Sequence, residues 1–379
     1  MKGKIFLIFV LVMLLSLVAS ACQPAAAPAA EEPAAEAPAA EEPAAEEPAA
    51  EEPAAEEPAM EEMEAPTELN IALILNSAVE EPWNLIHIQA IQRLAEEAKA
   101  DGVTVNYEYL ENVWGDDIEL AMRQFADEGQ YDIIWNAGAA ADYKEAVMGE
   151  YPDKLFVETG SGGAALGDNS LWIYLYYYEP AYIMGVIAGM ITENDVIGVV
   201  AGFAGSEVNS AVNAYREGAL SVNPDAKVKI TFIDSWYDPP KAKEATTAQL
   251  AAGADIIYGE RYGVLEALNE SGALGFGNYL DENSAYPEVV ITSPLLEAYP
   301  ITKYTYDQWW NFKTTGEAYD TPTERVVFTW AEGGTGLAPF HGFEDTLPQE
   351  VLDKVAEVQA AILDGSLVVT LDESIPESD

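Results

Sequence analysis

Short runs rich in β-branched and aromatic residues alternate with stretches of helical periodicity from Glu68 to Ser293, and this alternation restricts the fold more than any other feature of the chain. "LNIALIL" (69–75) precedes a helix to about Lys99, "VTVNYEYL" (103–110) one over 116–128, and "YDIIWN" (131–136) one over 142–149; "KLFVET" and "LWIYLYY" come next. A second series opens with "VIGVVAGF" (196–203) and a helix over 207–221. It continues with "KVKITFID", a helix over 239–252, "ADIIYG", a helix over 262–271, "ALGFGN" and "EVVITS". Repeated strand and helix alternation builds parallel sheets covered by helices on both faces. About 310 residues lie beyond Glu68, more than one core usually holds. The expectation is an α/β chain of two lobes.

In open α/β sheets, ligands bind beyond the carboxyl ends of the strands, where loops lead into helices. "NSAVEEPWN" (76–84) is the first such loop. On the helix it opens, Ile88, Ile91, Leu94, Ala95 and Ala98 form the buried arc, with Trp83 and His87 at its edge. Each of these two rings has a second reading: Trp83 as a cap on the core, His87 as a satisfied buried histidine. The matching loop of the second series is "DSWYDPP" (234–240), with Trp236 and Tyr237 ahead of Asp238, an N-cap before two prolines suited to a helix start. Aromatic rings offered by both lobes to one cleft predict a sandwich for a flat ring. Carboxylates and amides beside them suit ring N–H groups, exocyclic amines or sugar hydroxyls, and penalise a phosphate.

Residues 1–21 read as an export signal: Lys2 and Lys4, an apolar stretch over 5–18, then Ala19-Ser20-Ala21 before a cut. Small, small, Cys is the order of a bacterial lipobox, with Ala19 where Leu is more usual, so Cys22 is a candidate for acylation; an ordinary cleaved signal beside a free thiol is the alternative. The apolar stretch is shorter than the roughly 18 to 20 residues that span a bilayer. With Cys22 the only cysteine, no disulfide forms within the chain. Residues 22–67 repeat "EEPAA", a composition that cannot bury a core and predicts an extended, self-repelling tether. At about 3.1 Å per residue it reaches on the order of 100 Å from a lipid anchor. About 14 acids belong to it, so most of the net charge of -49 falls on the folded part. Such a surface repels nucleic acid, and a DNA or RNA role is excluded.

The residues offer little to catalysis. There are two histidines, His87 and His341, and no H-E-x-x-H, P-loop or G-x-S-x-G. "GSGGAA" (160–165) fits the form of a dinucleotide fingerprint, but the residues after it, "LGDNSLWIYLYYY", read as loop and strand, with no helix N-terminus for a pyrophosphate. Acids are so abundant that no chosen pair argues for glycoside cleavage. No enzyme, cofactor or metal is predicted.

From "YYYEPAYIMGVIAGMITENDVIGVVAGF" onward the chain resembles the basic membrane protein family, lipoprotein substrate-binding components of ABC importers related to purine nucleoside receptors. Glu179, Tyr182, Gly185, Ala188, Gly189 and Thr192 carry the likeness, with "IGVVAGF", "REGALSVNP", "DSWYDP", "GADIIY", Thr292-Ser293, "GLAPF" and "ILDGSLVV". The resemblance implies a type I periplasmic-binding-protein fold, two lobes joined by three crossovers at a hinged cleft. It implies a first lobe of residues 68–177 plus 296–325 and a second of 178–295 plus 326–370, and the residues beyond, 371–379, read as an acidic tail. Within the family, "EEPWNLIH" looks like the adenine-binding-like branch: Trp83 stands where a stacking Phe would be, Asn84 is kept, and the loop's Asp is replaced by Glu80 or Glu81. By the same resemblance Trp236 and Asp238 are ligand residues, Glu260 in "GERYG" stands where some relatives have a His, and Asn278, Tyr279 and Asp281 occupy an expected ligand loop. The implied protein is a monomer that closes on a purine base or nucleoside and delivers it to an ABC permease and ATPase from a lipid anchor on the outer face of the cell membrane. A surface receptor signalling through a membrane partner, or a receptor for another flat heterocycle such as a flavin, is the alternative.

Overall fold

In a computed structural model, the described residues are 64–138 and 140–379. The export signal, Cys22 and nearly all of the tether lie outside them. The first series forms β1 (Glu68–Ile74), α1 (Pro82–Glu97), β2 (Thr104–Leu110), α2 (Asp117–Glu128), β3 (Ile133–Asn136), α3 (Ala141–Met148), β4 (Leu155–Thr159) and β5 (Ser170–Tyr174). The second forms α4 (Tyr178–Ile191), β6 (Val196–Ala201), α5 (Ser206–Val222), β7 (Lys227–Phe232), α6 (Pro239–Ala251), β8 (Ile256–Gly259), α7 (Val264–Ser271) and β9 (Leu274–Phe276). Then come β10 (Pro294–Leu296), α8 (Tyr299–Thr315), β11 (Val326–Val327), β12 (Thr335–Leu337) and α9 (Gln349–Leu363). Among the described residues, no helix is long and apolar enough to cross a membrane.

The first sheet has the order β11-β5-β4-β3-β1-β2 and the second β7-β6-β8-β9. Every pairing in both is parallel. Such sheets are buried on both faces, and β1 shows it. Ile71 and Leu73 point to one buried cluster with Ile91 and Leu94 of α1, while Ala72 and Ile74 point to another with Met122 and Phe125 of α2. β2, at the edge, keeps mostly exposed or half-buried residues.

The chain passes between the sheets three times: from β5 to α4, through β10 to α8, and from β11 through β12 to α9. α8 packs on α1 of the first lobe, and α9 on α4 of the second. β10 and β12 pair antiparallel in a small sheet of their own. Two features differ from the sequence reading. Val326 and Val327 pair with Ile173 and Tyr174 at the edge of the first sheet, so the return to the second lobe begins two residues later than Val326. "EVVITS" runs beside β9 through Gly275 N–H to Val289 O and Ile291 N–H to Gly275 O, but a turn in which Val289 and Val290 donate to Tyr286 O breaks its regularity.

The glycines that carry the family likeness have a packing role. α4 and α5 meet backbone to backbone: a methyl at Gly185 would overlap the Tyr215 carbonyl, and one at Gly218 the Tyr182 carbonyl. The acidic tail is not free. Asp379 pairs with Arg216 and accepts from Val228 N–H at 3.0 Å, at the edge of the second sheet.

Candidate functional site

The strand-to-helix loops of both sheets open on one cavity of about 380 Å³. Asn76, Ser77, Glu81, Trp83 and Asn84 reach it from the β1–α1 segment, Trp114 from β2–α2, Tyr143 from α3, and Thr159, Gly160 and Ser161 from the end of β4. The second lobe supplies Glu207, Trp236, Arg261 and Tyr279. This is the carboxyl-end position that the fold reserves for ligands.

Local sequence explains how the aromatics are held. Glu81 caps α1, its carboxylate accepting from Trp83 N–H at 3.0 Å, and Pro82 occupies the first turn. The Trp83 indole N–H donates to Ala137 O at 3.1 Å, which fixes the ring beside His87 (centroids 5.6 Å apart) and Tyr279 (6.0 Å). Gly160 crosses this ring at φ 115°, a conformation that side chains avoid. On the facing lobe, Trp236 is held edge-on by Phe203 (5.1 Å) and lies under the Arg261 guanidinium (5.2 Å).

Asn84 is fully buried in the wall. Its amide nitrogen donates to Ser77 Oγ at 2.8 Å and Ala78 O at 2.9 Å, while Oδ1 has no partner. A carbonyl only accepts, so the Ala78 contact sets the orientation of the amide and leaves Oδ1 as an unused acceptor. Asn76 Oδ1 is unpartnered in the same wall. Buried acceptors are normally satisfied; two orphans beside an apolar cavity suit a ligand that brings N–H or O–H donors.

The charged residues divide differently from the sequence reading. Glu260 is buried behind Arg261 rather than on the cavity wall: its carboxylate takes Arg261 Nε at 2.8 Å and also Nη2, and accepts Gly202 N–H at 2.9 Å and the Tyr279 hydroxyl at 3.1 Å. Arg261 also donates to Trp236 O at 3.1 Å and faces Glu81 of the other lobe at 3.8 Å. Burial raises the Glu81 carboxyl above its ordinary value, with Arg261 opposing the shift. Burial likewise raises Glu207, which accepts from Tyr174 OH at 2.9 Å, with the nearby Ser161 hydroxyl opposing the shift. One guanidinium therefore faces two carboxyl groups, Glu260 and Glu81, and Glu207 adds a further acid to the same cavity, an arrangement that disfavours an anionic ligand.

Of the other expected residues, Trp83, Asn84, Trp236 and Tyr279 line the cavity. His87 does not: it is buried between Trp83 and Trp135, neither ring nitrogen has a partner, and burial lowers its pKa to about 4. Asp238 caps α6, its carboxylate accepting Lys241 N–H at 3.1 Å. Asn278 stands behind the wall, accepting from Tyr258 OH at 2.6 Å. Asp281 lies in a separate groove of about 170 Å³ and contacts His341 Nε2 at 2.5 Å. "GSGGAA" is loop, with β5 and no helix after it, yet Gly160 and Ser161 belong to the wall. Sequence reasoning missed Arg261, Glu207, Trp114 and Tyr143; for Arg261 the signal was a charge pair, Glu260-Arg261, in a loop directly after a buried strand. Among the described residues, no group of three His, Cys, Asp or Glu side chains is placed to hold a metal.

Comparison with known proteins agrees with this architecture. A protein of Haloferax volcanii provisionally named ABC transporter glucose-binding protein TsgA13 is 31% identical over 76% of this chain and 70% of its own. The purine-binding protein BAB2_0673 of Brucella abortus is 28% identical over 75% of this chain and 78% of its own. The crystal structure of an ABC transporter solute-binding protein from Aeropyrum pernix superposes with a TM-score of 0.66 at 18% identity, covering 80% of this chain and 94% of that one, and shares the type I periplasmic-binding-protein fold. Residues 69–310 match the family model described as ABC transporter substrate-binding protein PnrA-like. The chain belongs to this Bmp family of ABC transporter substrate-binding proteins, which bind a solute and do not transform it.

Proposed function

We propose that the protein captures a purine base or nucleoside between its lobes and delivers it to an ABC permease and ATPase, held to the outer face of the membrane by acylated Cys22 and the Glu/Pro/Ala tether. The observation that carries the reading is the pairing of indoles from opposite lobes, Trp83 and Trp236, around a cavity whose wall holds the unpaired Asn84 Oδ1. Stacking of a base on an aromatic ring is worth about 1–3 kcal/mol. A purine edge also brings the N–H donors that Asn84 Oδ1 and Asn76 Oδ1 lack. The Brucella relative, named for purine binding, supports the same class. A ligand touching both lobes stabilises the closed form through its differential affinity for it.

The glucose-binding name of the Haloferax relative makes sugars the competing class, since sugars also stack on indoles and donate hydroxyls. Thermal unfolding against adenine, adenosine, guanosine, riboflavin, glucose and ribose decides between them. A ligand at 100 times its dissociation constant adds about 2.7 kcal/mol to the folded state. A shift with adenine or a nucleoside is the expected result, and a shift with glucose alone overturns the purine reading.

A further inference from the structure

The tail over 372–379 is anchored on the second lobe, where Asn213 donates to Asp372 O at 2.9 Å and Ser374 O at 2.8 Å, and Asn209 to Glu373 O at 3.1 Å. The Glu373 side chain leaves that lobe. Its carboxylate accepts from Arg325 Nη1 at 2.8 Å, on the segment leading into β11 of the first sheet, and from the hydroxyl of Tyr176, in the β5–α4 crossing. Arg325 lies over the rings of Tyr174 and Tyr176, 5.2 Å from each centroid, and these rings are 4.5 Å apart. Tyr174 then donates its hydroxyl to Glu207 at 2.9 Å, back on the second lobe and in the cavity wall.

We infer that the tail is a strap that positions the cavity wall: Glu373 fixes Arg325 and Tyr176, these fix the Tyr174 ring, and Tyr174 orients the Glu207 carboxyl between the lobes. Both ends of this series of contacts rest on α5, which carries Asn209 as well as Glu207, while its middle rests on the first sheet. Loosening the tail therefore loosens the join between lobes at the cavity, beyond any local effect on the second lobe. The inference holds whichever solute fills the cavity. Coupling of this kind between distant sites is typically 5- to 150-fold.

Amide hydrogen exchange on the full-length protein without solute tests it. Glu373→Gln removes the carboxylate, Tyr174→Phe removes only the hydroxyl that reaches Glu207, and Asp379→Asn loosens the tail solely at Arg216 and β7. The expected result is that Glu373→Gln speeds exchange in the tail and, on the order of tenfold, in the cavity segments 161–164 and 205–209. Tyr174→Phe speeds the cavity segments alone, and Asp379→Asn speeds only 227–231 and the end of the tail. Faster tail exchange with wild-type exchange in the cavity segments overturns the inference. If Glu373→Gln does not fold, unchanged cavity exchange in Tyr174→Phe overturns it by itself.

Discussion

His87 makes acid sensitivity a test of how the first lobe is packed. Its imidazole is buried between two indoles with no hydrogen-bond partner, and its pKa falls from 6.5 to about 4. A depressed histidine binds a proton less readily when folded than when unfolded, so its contribution is complete above about 6.5 and is lost as the pH falls toward 4. At about 1.36 kcal/mol for each tenfold change in proton affinity, the difference amounts to about 3 kcal/mol in full, and to about 2.5 kcal/mol at a pH of about 4.5. His87→Leu keeps most of the volume and removes the titration. Near neutral pH the variant should match or exceed the wild type, because an orphaned buried donor costs about 1–3 kcal/mol. The assay is urea unfolding of both proteins at about pH 7 and about pH 4.5. Carboxyls raised by burial, such as Glu81 and Glu207, have the opposite pH dependence, but they are common to both proteins and cancel in the difference. The stability gap should widen in the variant's favour by about 2.5 kcal/mol on acidification. An equal gap at the two pH values refutes the buried neutral imidazole.

Three further outcomes are expected. Trp83→Ala and Trp236→Ala each weaken solute binding by about 1–3 kcal/mol in calorimetric titration, with the fold intact by circular dichroism. Glu260→Ala leaves Arg261 buried with only Glu81 nearby and lowers unfolding stability by about 3–5 kcal/mol in denaturant titration; adding Arg261→Leu restores most of it. Gly185→Ala forces α4 and α5 apart and costs about 1–3 kcal/mol or more in the same titration, whereas Gly272→Ala, which meets nothing within 4 Å and whose φ is +74°, costs only backbone strain.

The fold was legible because its central strands are buried on two faces and read as apolar runs, which located β1, β3, β4 and β5 in the chain; β11, only two residues long, offers no such run and was read with the second lobe. "EVVITS" misled because β-branched composition reports burial more than hydrogen bonding. The aromatic half of the cavity was legible too, since Trp83 and Trp236 occupy equivalent loops of the two series. Its charged half was not. Glu207 reads as an ordinary acid in a first helical turn, and Arg261 as a surface charge; only tertiary packing makes one a cavity wall and gives the other a bidentate partner. Conversely, Asp238 and Asn278 have the right chemistry for ligand reading, but the backbone and neighbouring side chains use their hydrogen bonds first.

The glycine contact between α4 and α5 carries one more consequence. Two helices whose backbones touch cannot slide or roll against each other without steric overlap, so they form a keyed joint within the second lobe. Bending then falls to the three segments that pass between the sheets, and an insertion of even one methyl group at Gly185 or Gly218 would be felt by the whole lobe as a change of angle.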